Sequence, residues 1–249
     1  MTSDALVVDV SRDWAVATDV QHRFMQAVDR AAETMDYSAR CRQVRGLGGD
    51  CYSFFPLRED RLALTIGDAS GKGLAAALMI SNVQSSLRTA TLFAGNDPAA
   101  VLRAVNRQVY ASSLEDRYAT LFYGVFDGAT RQLRYVNAGH NPPMVIGRDG
   151  SSISLRSCGA PVGMFPDWPY VEDAVQLSPG DLVLAYTDGL TEAENPAGEE
   201  WGVEGLRRAT VEYDAEHTDE IANAIFQAMD KFSRGRQTDD ATIILLRVS

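Results

Sequence analysis

Apolar and polar residues change their period several times along the chain, and each change marks a new element. From Asp19 to Met35, the residues Val20, Phe24, Ala27, Val28, Ala31 and Met35 recur at helical spacing behind Asp19 as a cap. This predicts an amphipathic leading helix, preceded by an extension over residues 1–18. Strand-like runs follow at Tyr37 to Arg45, Cys51 to Leu57 and Arg61 to Ile66, with Glu59-Asp60 as the turn of a hairpin. Gly73 to Phe93, dense in Ala, Leu and Met at its start, returns to helix, and Asp97-Pro98 opens another by cap and first-turn proline. The period then drops to two. YATLFYGVFD, RQLRYVNAG, PMVIGRDG and SSISLRS read as strands punctuated by Asp127-Gly128 and Asp149-Gly150, the turn chemistry of antiparallel hairpins. Strands at Val171 to Leu177 and Asp181 to Thr187 flank Ser178-Pro179-Gly180, helices at Val203 to Val211 and Thr218 to Phe232 follow, and a last strand runs from Ala241 to Val248.

Paired helices between blocks of hairpin strands do not give the βαβ alternation of a parallel sheet. The expected fold class is α+β: two mostly antiparallel sheets face to face with helices on their outer faces, a four-layer α-β-β-α sandwich, formed as one domain over residues 19–249. For distant segments to meet, the last strand must return to a central position beside the early hairpin.

Composition narrows the functions open to such a fold. The chain has 249 residues, 45% hydrophobic and 23% charged, enough to bury a full core. A net charge of -11 argues against a nucleic-acid surface, which needs a basic face. Three cysteines, Cys41, Cys51 and Cys158, have no CxxC spacing, so neither a disulfide framework nor a zinc site is indicated, and a reduced cytoplasm is expected. No run approaches 18 apolar residues, so no membrane span is expected.

Chemistry enters with four aspartates at the ends of apolar runs: Asp50 after Leu47-Gly48-Gly49, Asp68 after LALTIG, Asp188 after LVLAYT and Asp239 before ATIILL. Taken singly, an aspartate in such a place is usually a turn or cap residue. Gathered together, four carboxylates would repel one another strongly, and divalent cations among them would remove the repulsion. Carboxylate oxygens are hard ligands suited to Mg²⁺ or Mn²⁺, so the pattern reads as a two-metal hydrolytic site. Lys72, between Gly71 and Gly73 ahead of the Ala-rich helix, is a candidate phosphate contact. His140 is a candidate at the edge of the site, although a turn histidine bonded to backbone is the commoner role for such a residue.

The local sequences LGGDCYSFF, IGDASGKGLAAALM, NAGHNPP, AYTDGLTEA and TDDATIILL, in this order, closely resemble the SpoIIE-type, RsbU-like branch of the metal-dependent PPM protein phosphatases, over roughly residues 19 to 248. The resemblance implies a binuclear Mg²⁺ or Mn²⁺ centre between the sheets and hydrolysis of phosphoserine or phosphothreonine in a protein, with a phosphorylated anti-sigma-factor antagonist as the implied substrate. By motif, Asp50, Asp68, Asp188 and Asp239 would be metal ligands, with the backbone carbonyl of Ala69 as a further one. Two departures stand out. Ser53 replaces an aspartate frequent in relatives three residues after the first ligand, and Ser70 lies where eukaryotic relatives carry a histidine, which leaves the general acid unassigned. A nonhydrolytic regulatory relative and, on Gly48-Gly49-Asp50 alone, a nucleotide cyclase are the competing readings; four retained aspartates oppose the first, and Cys51-Tyr52 opposes the second. The exposed face of the leading helix is a candidate homodimer contact.

Overall fold

A computed structural model describes residues 3–25, 34–114, 116–213, 215 and 217–249, with side chains from residue 10 onward. The elements run α1 (Ser3–Phe24), β1 (Met35–Arg42), β2 (Asp50–Pro56), β3 (Arg61–Ala69), α2 (Leu74–Ala94), α3 (Pro98–Ser112), β4 (Ala119–Asp127), β5 (Gln132–Ala138), β6 (Met144–Ile146), β7 (Ser152–Ser154), β8 (Asp173–Gln176), β9 (Leu182–Tyr186), α4 (Asp188–Thr191), α5 (Gly202–Glu212), α6 (Thr218–Ser233) and β10 (Ala241–Val248). They form two five-stranded antiparallel sheets, ordered β1-β10-β9-β6-β7 and β2-β3-β4-β5-β8.

Side-chain alternation decides which sheet face meets which layer. In β3, Leu62, Leu64 and Ile66 point between the sheets, while Ala63 points to α2 and α3. In β10, Ile244, Leu246 and Val248 point between the sheets, while Ala241, Ile243 and Leu245 pack under α5 and α6. Three apolar layers result, one beneath each helical pair and one between the sheets, and the whole is the expected four-layer α+β sandwich. Glu59 and Asp60, with φ of 60° and 56°, make the left-handed turn that joins β2 to β3.

The structure adds to or departs from the sequence pattern in three places that matter for the site. The first helix begins at Ser3 and ends at Phe24, so residues expected as an extension are helical, and Met35 opens β1 instead of closing a helix; Ala27, Val28 and Ala31 lie outside the described residues. The segment before Asp19 has neither Gly nor Pro to stop a helix, and its Trp14 finds a partner in the loop after β1: the indole N–H donates to the Arg45 carbonyl at 3.0 Å. Ser178-Pro179-Gly180 forms the expected turn, the Asp181 amide donating to the Ser178 carbonyl at 3.0 Å, and it carries the chain from β8 in one sheet to β9 in the other, with Gly180 at φ 92°. Strand β10 is central, between β1 and β9, but in the sheet opposite the β2–β3 hairpin, so residues from the two meet across the interior.

Candidate active site

The same parity that builds the core aims the acidic residues. Asp68 follows Leu64 and Ile66 on the inward face of β3, and Asp50 precedes Tyr52 and Phe54 on the inward face of β2, where the two aspartates are directly paired. Thr187 after β9 and Thr242 in β10 reach across from the other sheet, and their hydroxyls donate to the same Asp50 oxygen at 2.7 and 2.6 Å. Asp50 is buried, and its carboxyl is pushed well above the usual carboxylate range, first by burial and then by the charge of Asp68.

Asp188 is the first residue of the short helix α4, not the end of a strand. The turn is tight enough that Gly189 has no room for a side chain: a Cβ there would lie 1.9 Å from the Asp240 carbonyl oxygen. This close approach brings Asp188 beside the start of β10. Asp239 sits just ahead of that strand, with one oxygen 2.5 Å from the Lys72 ammonium. The Asp68 carboxyl is raised to about 7 by burial first, then by Asp188, Asp239 and Asp240, with Lys72 opposing. Asp188 is likewise raised by burial and by Asp239. The fold thus gathers all four predicted aspartates into one mutually repelling group, and Ala69 ends β3 within it, its N–H donating to the Gly49 carbonyl.

Sequence reasoning missed two other members. Asp240 accepts from the Val44 and Gly49 amides at 2.8 and 3.0 Å, fastening the loop before Asp50 to β10. Its signal was parity, since it shares the inward face with Thr242 and Ile244. Arg45 lines the acidic cleft with Gly71, Lys72 and Gly73, and its guanidinium has no ion-pair or hydrogen-bond partner among the described residues.

The two candidate substrate contacts have partners within the chain. His140 does not line the cleft: it is 2% exposed, its Nδ1 lies 2.9 Å from the Thr120 hydroxyl, and its backbone N–H is held by the Asn137 side chain. The NAGH turn folds the ring inward beneath β4, where burial lowers its pKa to about 4; the nearby Tyr186 backbone opposes this weakly, while Nε2 closes no well-aligned hydrogen bond. Lys72 pairs with Asp239. Ser53 lies on the opposite face of β2 from Asp50, its hydroxyl donating to the Tyr52 carbonyl, so the missing aspartate leaves no gap among the inward carboxylates.

Divalent cations suit this group in donor type and in charge. The donors are hard carboxylate oxygens, and the carboxyls of Asp68 and Asp188, raised by burial first and by like charge second, would be held ionised by positive charge among them. Among the described residues no three acidic, histidine or cysteine side chains close on one point at metal-cage spacing; Lys72 supplies positive charge instead.

The family model for Stage II sporulation protein E (SpoIIE) matches residues 58–249. The chain belongs to the SpoIIE family. The SpoIIE match covers Asp68, Asp188 and Asp239, while Asp50 lies just ahead of it. Protein IcfG of Synechocystis sp. is 30% identical over 256 residues, covering 90% of this SpoIIE-family chain and 40% of its own length. Phosphoserine phosphatase RsbU of Bacillus subtilis is 25% identical over 240 residues, covering 96% of this chain and 71% of its own. The chain therefore spans less than half of one curated relative and most of the other. The SiaA-PP2C domain of Pseudomonas aeruginosa superposes with a TM-score of 0.84 at 20% identity, covering 98% of this chain and 99% of its own, a likeness of fold. Together these show a SpoIIE-family chain that is similar to RsbU in sequence and to a PP2C domain in fold.

Proposed function

We propose that the chain is a Mg²⁺- or Mn²⁺-dependent protein phosphatase acting on phosphoserine or phosphothreonine, with a phosphorylated anti-sigma-factor antagonist as its substrate. The observation that carries this is the convergence of Asp50, Asp68, Asp188 and Asp239 from both sheets at one end of the interior. Two divalent cations held by these residues and the Ala69 carbonyl would supply a water of lowered pKa and neutralise the phosphoryl oxygens.

The chain's own groups divide the remaining work. Thr187 and Thr242 fix one Asp50 oxygen and so hold the carboxylate in place. Asp240 holds the Gly49 amide and so keeps the Asp50 loop against β10. Arg45 and Lys72 stand at the rim, where a phosphate dianion would otherwise meet only carboxylates. Free Arg45 is the better placed to grip it, since Lys72 must first leave Asp239. Self-association through α1 belongs to the same reading, because Val10, Val16 and Val20 are exposed on that helix; a monomeric mass by light scattering at high concentration would remove it.

The decisive experiment measures inorganic phosphate released from a phosphoserine peptide with Mn²⁺, with and without chelator. Release that chelation abolishes is expected, and Asp68→Asn should lose at least about 10²-fold in rate, the scale of a single electrostatic catalytic contact. Turnover unaffected by chelator, or near-normal turnover in Asp68→Asn, would overturn the assignment.

A further inference from the structure

The segment from Gln43 to Gly49 leads into Asp50 and belongs to neither sheet, so its backbone polar groups must find partners elsewhere. They find them on two sides. From just ahead of β10, Asp240 takes the amides of Val44 and Gly49. From α1, Gln21 makes a two-way clamp on Gly48: its Nε2 donates to the Gly48 carbonyl at 2.8 Å, and its Oε1 accepts from the Gly48 amide at 3.1 Å. Gln21 is 2% exposed, although it lies on a helix whose neighbours at Val16 and Val20 face solvent. Gly48 in turn packs so closely on the Asp240 carboxylate that a side chain at this position would collide with it. The next residue, Gly49, accepts the Ala69 amide through its carbonyl at 3.0 Å.

We propose that Gln21 is a positioning residue for the site. A buried amide on α1 sets the backbone of Gly48, and thereby both the Asp50 carboxylate and the end of β3 at Ala69. A primary amide is the side chain this task requires, since only it offers a donor and an acceptor side by side to match one residue's C=O and N–H. Trp14, two helical turns earlier on the same face, bonds the Arg45 carbonyl and so anchors the helix to the same loop at a different residue. The two contacts are therefore separable. Gln21 governs the residues next to the first carboxylate, and Trp14 governs where α1 lies.

The proposal rests on the metal-site reading for its kinetic arm alone. Amide hydrogen exchange in the metal-free protein reads the clamp directly, and Mn²⁺ titration of phosphopeptide hydrolysis reads its consequence. In Gln21→Ala, exchange at Gly48 and Gly49 should rise at least about tenfold; the Mn²⁺ needed for half-maximal rate should rise several-fold, while the rate at saturating Mn²⁺ stays within about twofold. Trp14→Phe should leave exchange at Gly48 and Gly49 unchanged. Gln21→Glu keeps size and acceptor but loses the donor, and serves if the alanine variant does not fold: Gly48 should stay protected while the Mn²⁺ requirement rises. Unchanged exchange in a folded Gln21→Ala, equal loosening in Trp14→Phe, or an unshifted Mn²⁺ requirement in Gln21→Glu would overturn the proposal. A wild-type protein inactive with every metal would instead defeat the phosphatase reading and leave the exchange result standing.

Discussion

At the scale of single residues, the most informative contrast is between polar groups the fold leaves in conflict and those it satisfies. Asp68 is crowded by like charge, whereas His140 is enclosed and kept neutral. The histidine carries a prediction with a definite sign. Its folded pKa, about 4, lies below the ordinary value of 6.5, so between those limits the unfolded chain takes up a proton that the folded chain refuses. Stability is therefore lost as pH falls through that window, by about 2 kcal/mol between pH 7.5 and pH 5 from this group alone. Denaturant unfolding of wild type and His140→Gln at both pH values isolates it, because the carboxylates common to both proteins cancel. The variant should lose less stability on acidification by about that amount, and equal losses would show that the ring is not held neutral. Much of this chemistry was legible early. Asp68, Asp188 and Asp239 were visible because the runs beside them are unmistakably apolar. Asp240 was not, since an acid beside an acid looks redundant until strand parity separates the inward one. Arg45 sits among glycines, where periodicity carries no signal.

Elements were read best where local chemistry and tertiary demand agree. Asp97 caps α3 as its sequence announces, its side chain accepting from the Ala100 amide at 2.8 Å with Pro98 in the first turn. Asp97→Ala should cost about 1 kcal/mol by thermal unfolding, and no measurable loss would mean that packing against α2 alone fixes the helix end. Strand β10 was located to the residue, because a strand inward on one face and helix-covered on the other reads as an unbroken apolar run. Helix α1 was misplaced because its useful contacts are polar and long-range: Gln21 and Trp14 bond backbone far along the chain, which no periodicity shows. Helix α4 is only four residues long, below the reach of a 3.6-residue pattern, yet it turns Asp188 into the site.

Across the whole molecule, stability and chemistry share the layer between the sheets. Leu64, Ile66, Phe122 and Ile244 fill that layer, and the carboxylates occupy one end of it. Leu64→Ala should therefore cost about 2–5 kcal/mol, the range for a fully buried leucine. Because the sheets would then pack less firmly, the midpoint of denaturant unfolding should fall with little change in slope; an unshifted midpoint would place the core elsewhere. Sheet order could not be read from the pattern, since antiparallel strands carry no mark of which neighbour they take. The position of β10 between β1 and β9 has a consequence for biosynthesis. Its residues are made after every other strand, yet one sheet cannot close without them, and Asp239 arrives only then. A chain still being translated short of Val248 would hold an open seam and an incomplete set of acids, so the acidic cluster would come into being late, after the ribosome has passed the segment that locks it.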